Sequence, residues 1–119
     1  MSEKSIIDEM ETRIIRAFLD IIILQVLNDK SGSGYDILLF LEERFHKKLS
    51  SGTVYAAIYS LQRKGLIVGV TDSRKTIFKI TVLGKETLDI IQKAEKELRI
   101  FRLGSFNINS DLLNKKHIN

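Results

Sequence analysis

Cysteine, proline and tryptophan are all missing from this 119-residue chain, and histidine occurs only at positions 46 and 117. Without cysteine there can be no disulfide and no thiolate metal site, which is compatible with a reducing compartment. Two isolated histidines do not make a histidine-rich metal centre, so no cofactor is expected. Without proline, turns must rest on Gly, Ser, Asp and Asn. Long apolar runs are also missing. "IIIL" at 21–24 is far short of the ~20 residues that cross a bilayer, and no membrane contact is expected. The opening "MSEKSIIDEMET" has neither the basic start nor the apolar centre of a secretory signal, so the expected location is the cytoplasm.

What is present suits one globular domain. The apolar fraction of 44% is enough for a core, and the charged fraction of 29% keeps the surface wet. The formal charge is only +4, but it is unevenly spread. Between residues 44 and 79 stand Arg44, Lys47, Lys48, Arg63, Lys64, Arg74, Lys75 and Lys79, against Asp72 alone. A basic centre between acidic flanks fits an anionic partner such as nucleic acid, and it equally fits a solvated face.

No repeat or low-complexity block interrupts the chain. Residues 6–27 are expected to form one long helix, because Ile14, Phe18, Ile21, Ile22, Gln25 and Val26 recur at three- and four-residue steps. "NDKSGSG" breaks that pattern. A second helix is expected over 35–45, with Ile37, Leu38, Leu41 and Phe45 inward, and "HKKLS" as the connector.

The third helix lies in "SSGTVYAAIYSLQRKGLI" at 50–67. Ser50 is a fitting N-cap, because its hydroxyl can accept a free first-turn amide. Gly65 is the residue best suited to the left-handed turn that ends a helix. At 100° per residue, Val54, Ala57, Ile58 and Leu61 point one way, and Gly52, Tyr55, Ala56, Tyr59 and Arg63 the other.

Beyond Gly65 the period becomes extended. "LIVGVT" and "TIFKITV" read as two strands joined by "DSRK". Helical period returns over 84–102 through Leu88, Ile91, Leu98 and Phe101. The remaining tail is polar, and a short turn could begin near Ser110. Three short-connected helices, a hairpin and a long helix describe an α+β, mainly α, winged helix-turn-helix. Its third helix is the natural reader of a major groove.

The residues also resemble a known family, the PadR transcriptional regulators. "RAFLDIIILQVL" from Arg16 is similar to the family's Arg-Gly-x-Leu-x-x-x-Ile-Leu-x-Leu-Leu, and Gly34-Tyr35 to its Gly-Tyr-x-Ile. "SSGTVYAAIYSLQRKGLI" resembles Ser-x-Gly-Thr-Leu-Tyr-Pro-x-Leu-x-x-Leu-x-x-x-Gly-Leu-Ile. "RKTIFKITVLGKETL" resembles the second wing strand and the Thr-x-x-Gly-x-x-x-Leu entry to the last helix. Four landmarks in order cover residues 16–88. Ala56 stands where the family usually has proline, Ala17 where glycine is common, and Phe78 where a wing tyrosine is frequent. The wing is short.

The resemblance implies a homodimeric repressor of the small subclass with a single C-terminal helix. It divides the chain into a winged helix-turn-helix with an N-terminal helical extension (1–82), a dimerisation helix (83–103) and a polar tail (104–119). The N-terminal and final helices would form the dimer interface, through Phe18, Ile22, Leu88, Ile91, Leu98 and Phe101. Some members release DNA on binding a small aromatic effector at the dimer, and no residues are assigned to such a ligand.

Double-stranded DNA is the expected partner. Tyr55 combines an outward direction with a family position that points to phosphate contact, while a half-buried tyrosine can also simply keep its hydroxyl wet. Tyr59 points further outward and is open to both readings. Ser51, Gly52 and Thr53 crowd the helix start, where amides and hydroxyls can grip a phosphate. Arg63 and Lys64 close the helix as dipole partners or phosphate contacts. Arg74 and Lys75 are candidate backbone or minor-groove contacts at the wing tip. The alternative is a winged-helix module that docks a protein with the same surfaces. No paired carboxylates, nucleophile–base set or phosphate-cradling glycine loop stands out, so enzymatic activity is not expected.

Overall fold

The computed structural model describes residues 2–105, with side chains through residue 97. Its contacts divide the chain into two compact units, Met1–Leu88 and Asp89–Asn119. Among the described residues the elements run α1 (Glu3–Ala17), α2 (Leu19–Asp29), α3 (Gly34–Phe45), α4 (Ser51–Arg63), β1 (Ile67–Asp72), β2 (Lys75–Ile80) and α5 (Val82–Ser105).

The single N-terminal helix expected over 6–27 is two helices. Phe18, at φ −112° and ψ 17°, ends α1 and begins α2. The nearby cause is Asp20, whose carboxylate accepts the Ile21 amide at 2.8 Å. A short acidic side chain that offers its own backbone another acceptor competes with the helical ladder. The two helices then face different surroundings. α2 buries Leu19, Ile23, Leu24 and Leu27, whereas α1 buries Ile15 alone. Ile6, Ile7, Met10, Ile14 and Phe18 are all exposed.

α3 begins with a capping box. The Ser33 hydroxyl accepts the Asp36 amide at 3.1 Å, and the Asp36 carboxylate accepts the Ser33 amide at 3.0 Å. Ile37 and Leu41 are buried, with Leu38 and Phe45 packed on the same core. The connector to α4 is tied at both ends. Glu42 accepts the Leu49 amide at 3.0 Å, and Lys47, only 10% exposed, pairs with Asp8 and, at 3.9 Å, with Glu11.

α4 starts on Ser50, whose hydroxyl accepts the Thr53 amide. Val54, Ile58 and Leu61 are buried. Its end is a Schellman turn around Gly65 at φ 76°, with the Gly65 amide on the Gln62 carbonyl and the Leu66 amide on the Leu61 carbonyl, both 3.0 Å.

β1 and β2 pair antiparallel from Ile67↔Ile80 to Asp72↔Lys75, leaving Ser73 and Arg74 as a two-residue tip. A third segment joins this sheet: Gly32 and Phe78 exchange both backbone hydrogen bonds, at 2.8 and 3.2 Å. The stretch before α3 therefore anchors the wing, and the Phe78 ring is buried in the core. Thr81 fastens the other side. Its hydroxyl donates to the Gly65 carbonyl at 2.7 Å and accepts the Gly84 amide at 3.0 Å. α5 starts so close to Leu66 that a Cβ at Gly84 would lie 2.1 Å from the Leu66 carbonyl oxygen. Leu88, 2% exposed, completes the core of the first unit.

Candidate DNA interface

α4 presents its outer face because its inner residues are taken by the core. Ser51, Gly52 and Thr53 are exposed at its start, with Arg63 and Lys64 exposed at its end. A Cβ at Gly52 would touch only the Ser50 hydroxyl, at 3.6 Å, so the protein's own packing does not require glycine there. Tyr55 is half-buried and Tyr59 is 49% exposed. Their rings lie 6.0 Å apart at 43°, within the range of favourable tilted aromatic pairs.

Tyr55 has an internal role as well. Its ring packs so close to the start of α3 that a Cβ at Gly34 would come within 2.3 Å of it. The Gly-Tyr landmark and the α4 tyrosine are therefore halves of one contact, which a pass along the chain could not reveal.

Tyr55, Tyr59, Arg74 and Lys75 are brought together around one open cleft of about 560 Å³ between α3, α4 and the wing. Ser51, Gly52 and Thr53 lie one end of α4 away, and Arg63 and Lys64 are not part of the cleft wall. The lining also includes residues that were not among the expected contacts, notably Tyr35 on the first turn of α3, Gln62 one turn beyond Tyr59, and Asp36. Ser33's backbone and side-chain hydrogen bonds hold the Asp36 carboxyl below its ordinary range, with Lys75 and Lys30 adding to the effect.

The basic centre is smaller than the sequence implies, because Lys47 is turned inward and neutralised on α1. Of the expected dimer residues, Phe18 is exposed and Ile22 half-buried, while Leu88 packs into the core of its own unit. Leu98 and Phe101 lie outside the described side chains, and the tail from residue 106 outside the described residues. No helix among the described residues is long and apolar enough to cross a membrane. No group of three or more His, Cys, Asp or Glu among them could hold a metal ion.

The same architecture recurs in solved structures. A transcriptional regulator from Clostridium thermocellum is 27% identical over 79% of this chain and 94% of its own, with a TM-score of 0.65. A PadR family transcription regulator from Clostridium difficile is also 27% identical, over 71% of this chain and 94% of its own, at 0.64. A PadR family regulator from Eggerthella lenta shares the fold at 0.70 with 20% identity, over 86% and 92% of the two chains. No curated protein matches. Residues 23–90 match the profile of the transcriptional regulator PadR-like family. The match spans most of α2, then α3, α4, the wing and the start of α5, and the chain belongs to that family of DNA-binding regulators, which are not enzymes.

Proposed function

We propose that the chain is a homodimeric repressor that reads a roughly palindromic operator. The carrying observation is the outward row of α4, with Gly52, Tyr59 and Arg63 exposed and Tyr55 half-exposed, beside a wing that carries Arg74 and Lys75. A helix of this width fits a major groove, and its first-turn residues Ser51, Gly52 and Thr53 are the ones to approach base edges and the nearest phosphate. Tyr55, Tyr59, Arg63 and Lys64 position the helix on the backbone, and the wing holds the flanking strand.

The dimer reading rests on α1. Ile6, Met10, Ile14 and Phe18 stand four residues apart on one face, all exposed in the single chain. A contiguous apolar stripe of this kind marks an association surface. Two-fold symmetry then sets the half-sites about one helical turn, ~34 Å, apart. Repression follows if the dimer covers promoter DNA. The proposed division of labour gives the winged unit within residues 1–82 to DNA binding, and association to its N-terminal helical extension together with 83–103, through Ile91, Leu98 and Phe101.

The test is selection of bound duplexes from genomic fragments, followed by gel shift and by transcription from a promoter that carries the selected site. A pseudo-palindromic consensus and reduced transcription are expected. A consensus without two-fold symmetry would overturn the dimeric reading, and raised transcription would overturn repression.

A further inference from the structure

All three tyrosines of the chain meet at one cleft, although Tyr35 belongs to α3, and Tyr55 and Tyr59 to α4. Two of them already have a reading. Tyr55 packs on Gly34, and Tyr59 stands on the outer row of α4. Tyr35 has none. It is 60% exposed and its hydroxyl makes no hydrogen bond among the described residues. It does not cap α3 either, because Ser33 and Asp36 already satisfy that end reciprocally.

Its place is nevertheless fixed. The Gly32–Phe78 backbone pair clamps the residues just before α3 to the second wing strand. Tyr35, three residues on, therefore stands on one lip of the cleft, with Arg74 and Lys75 on the wing side and Tyr59 and Gln62 on the α4 side. An anion entering the cleft meets cations from the wing and neutral donors from the helices. Asp36 stands in the same cleft, yet its carboxylate is tied back to Ser33. A single phosphodiester strand passing through this cleft fits the arrangement, because α3, α4 and the wing each offer it donors.

We propose that Tyr35 is a DNA-backbone contact, donating its phenolic hydroxyl to a phosphate oxygen of the strand held between α3 and the wing. The inference rests on the DNA-binding reading and adds α3 as a third arm beside α4 and the wing. It predicts a contact that is independent of sequence and carries no charge.

The test compares wild type, Tyr35→Phe and Lys75→Gln on a duplex selected from genomic fragments and on a scrambled duplex of equal length. Loss of one hydrogen bond should weaken Tyr35→Phe by about 3- to 10-fold on both duplexes. Its salt slope should equal that of wild type, because a neutral donor releases no counterion, whereas Lys75→Gln should lower the slope by about 0.9 per bound copy of the chain, or about 1.8 for a dimer. A neutral methylphosphonate at the contacted phosphate should weaken wild type more than Tyr35→Phe, which has lost only the hydroxyl's share of that contact. The melting temperature of Tyr35→Phe should match wild type, since the hydroxyl is exposed. Equal affinity of Tyr35→Phe and wild type would sink this proposal alone, as would a loss confined to the selected duplex or a lowered melting temperature. Failure of wild type to bind either duplex at low salt would remove the DNA-binding reading with it.

Discussion

At the scale of single residues, the clearest pair is Gly34 and Tyr55. The sequence marks both, one as a helix-start glycine and the other as an outward tyrosine, but their mutual contact depends on how α3 and α4 cross. A methyl at Gly34 must displace an aromatic ring held against the core. Gly34→Ala should therefore cost about 1–3 kcal/mol of stability, measurable by urea unfolding. Tyr55→Phe keeps that ring contact and should unfold like wild type, yet weaken DNA binding by about 3- to 10-fold if the hydroxyl reaches a phosphate. Gly52 behaves in the opposite sense. A Cβ there meets nothing closer than 3.6 Å, and alanine is the better helix former by up to about 1 kcal/mol. Gly52→Ala should hold or raise the unfolding midpoint while lowering DNA affinity, so that stability and binding part company in one variant. Asp36 adds a pH signature. Its folded carboxyl lies below the ordinary value of 3.8, so its stabilising effect is present above that value. The effect is lost as pH falls through the lower folded value. The gap in melting temperature between wild type and Asp36→Ala should be full at pH 7 and close under strong acid.

At the scale of elements, the legible parts were those governed by local rules. Ser50, Gly65 and the inward row of α4 are set by capping, left-handed backbone and helical period, and "DSRK" by the switch between two extended runs. The misread parts were those where one local rule met a competing one or a distant partner. The 6–27 periodicity is genuine, but Asp20 offers an alternative acceptor in its middle and the run divides at Phe18. "NDKSGSG" reads as a loop, and only the fold brings Gly32 to Phe78. Lys47 reads as part of a basic patch, and only the fold brings it to Asp8. The division at Phe18 has a functional side. It separates a helix that builds the core from one whose apolar stripe is left outward. If α1 carries the proposed dimer, Met10→Asp combined with Ile14→Asp should leave a monomer by light scattering. The far-ultraviolet signal of the winged unit should stay near wild type, because neither residue is buried. A dimer that survives the double substitution would move the interface off α1. Charge reversal at Arg74 and Lys75 should weaken binding to all duplexes alike, and undiminished affinity at low salt would remove the wing from the interface.

At the scale of the whole molecule, electrostatics sets a measurable expectation. A dimer presenting Arg63, Lys64, Arg74 and Lys75 twice would neutralise up to about eight phosphates, for a loss of roughly 10³–10⁵ in affinity between 50 and 200 mM salt. A much shallower slope would mean that several of these side chains merely solvate the surface. The fold itself is a set of ties between distant stretches, and the Gly32–Phe78 pair joins residues 46 apart in the chain. Its consequence is one of timing. The Phe78 amide is held by the Gly32 carbonyl at 2.8 Å above a buried ring, so freeing it requires parting the α2–α3 stretch from the wing. The amides at the Ser73–Arg74 tip need only a turn to open. Hydrogen exchange should thus divide a six-residue strand pair into a tip that exchanges freely and a base that waits for global unfolding. A wing that holds DNA as proposed would do so with a pliant end on a fixed root.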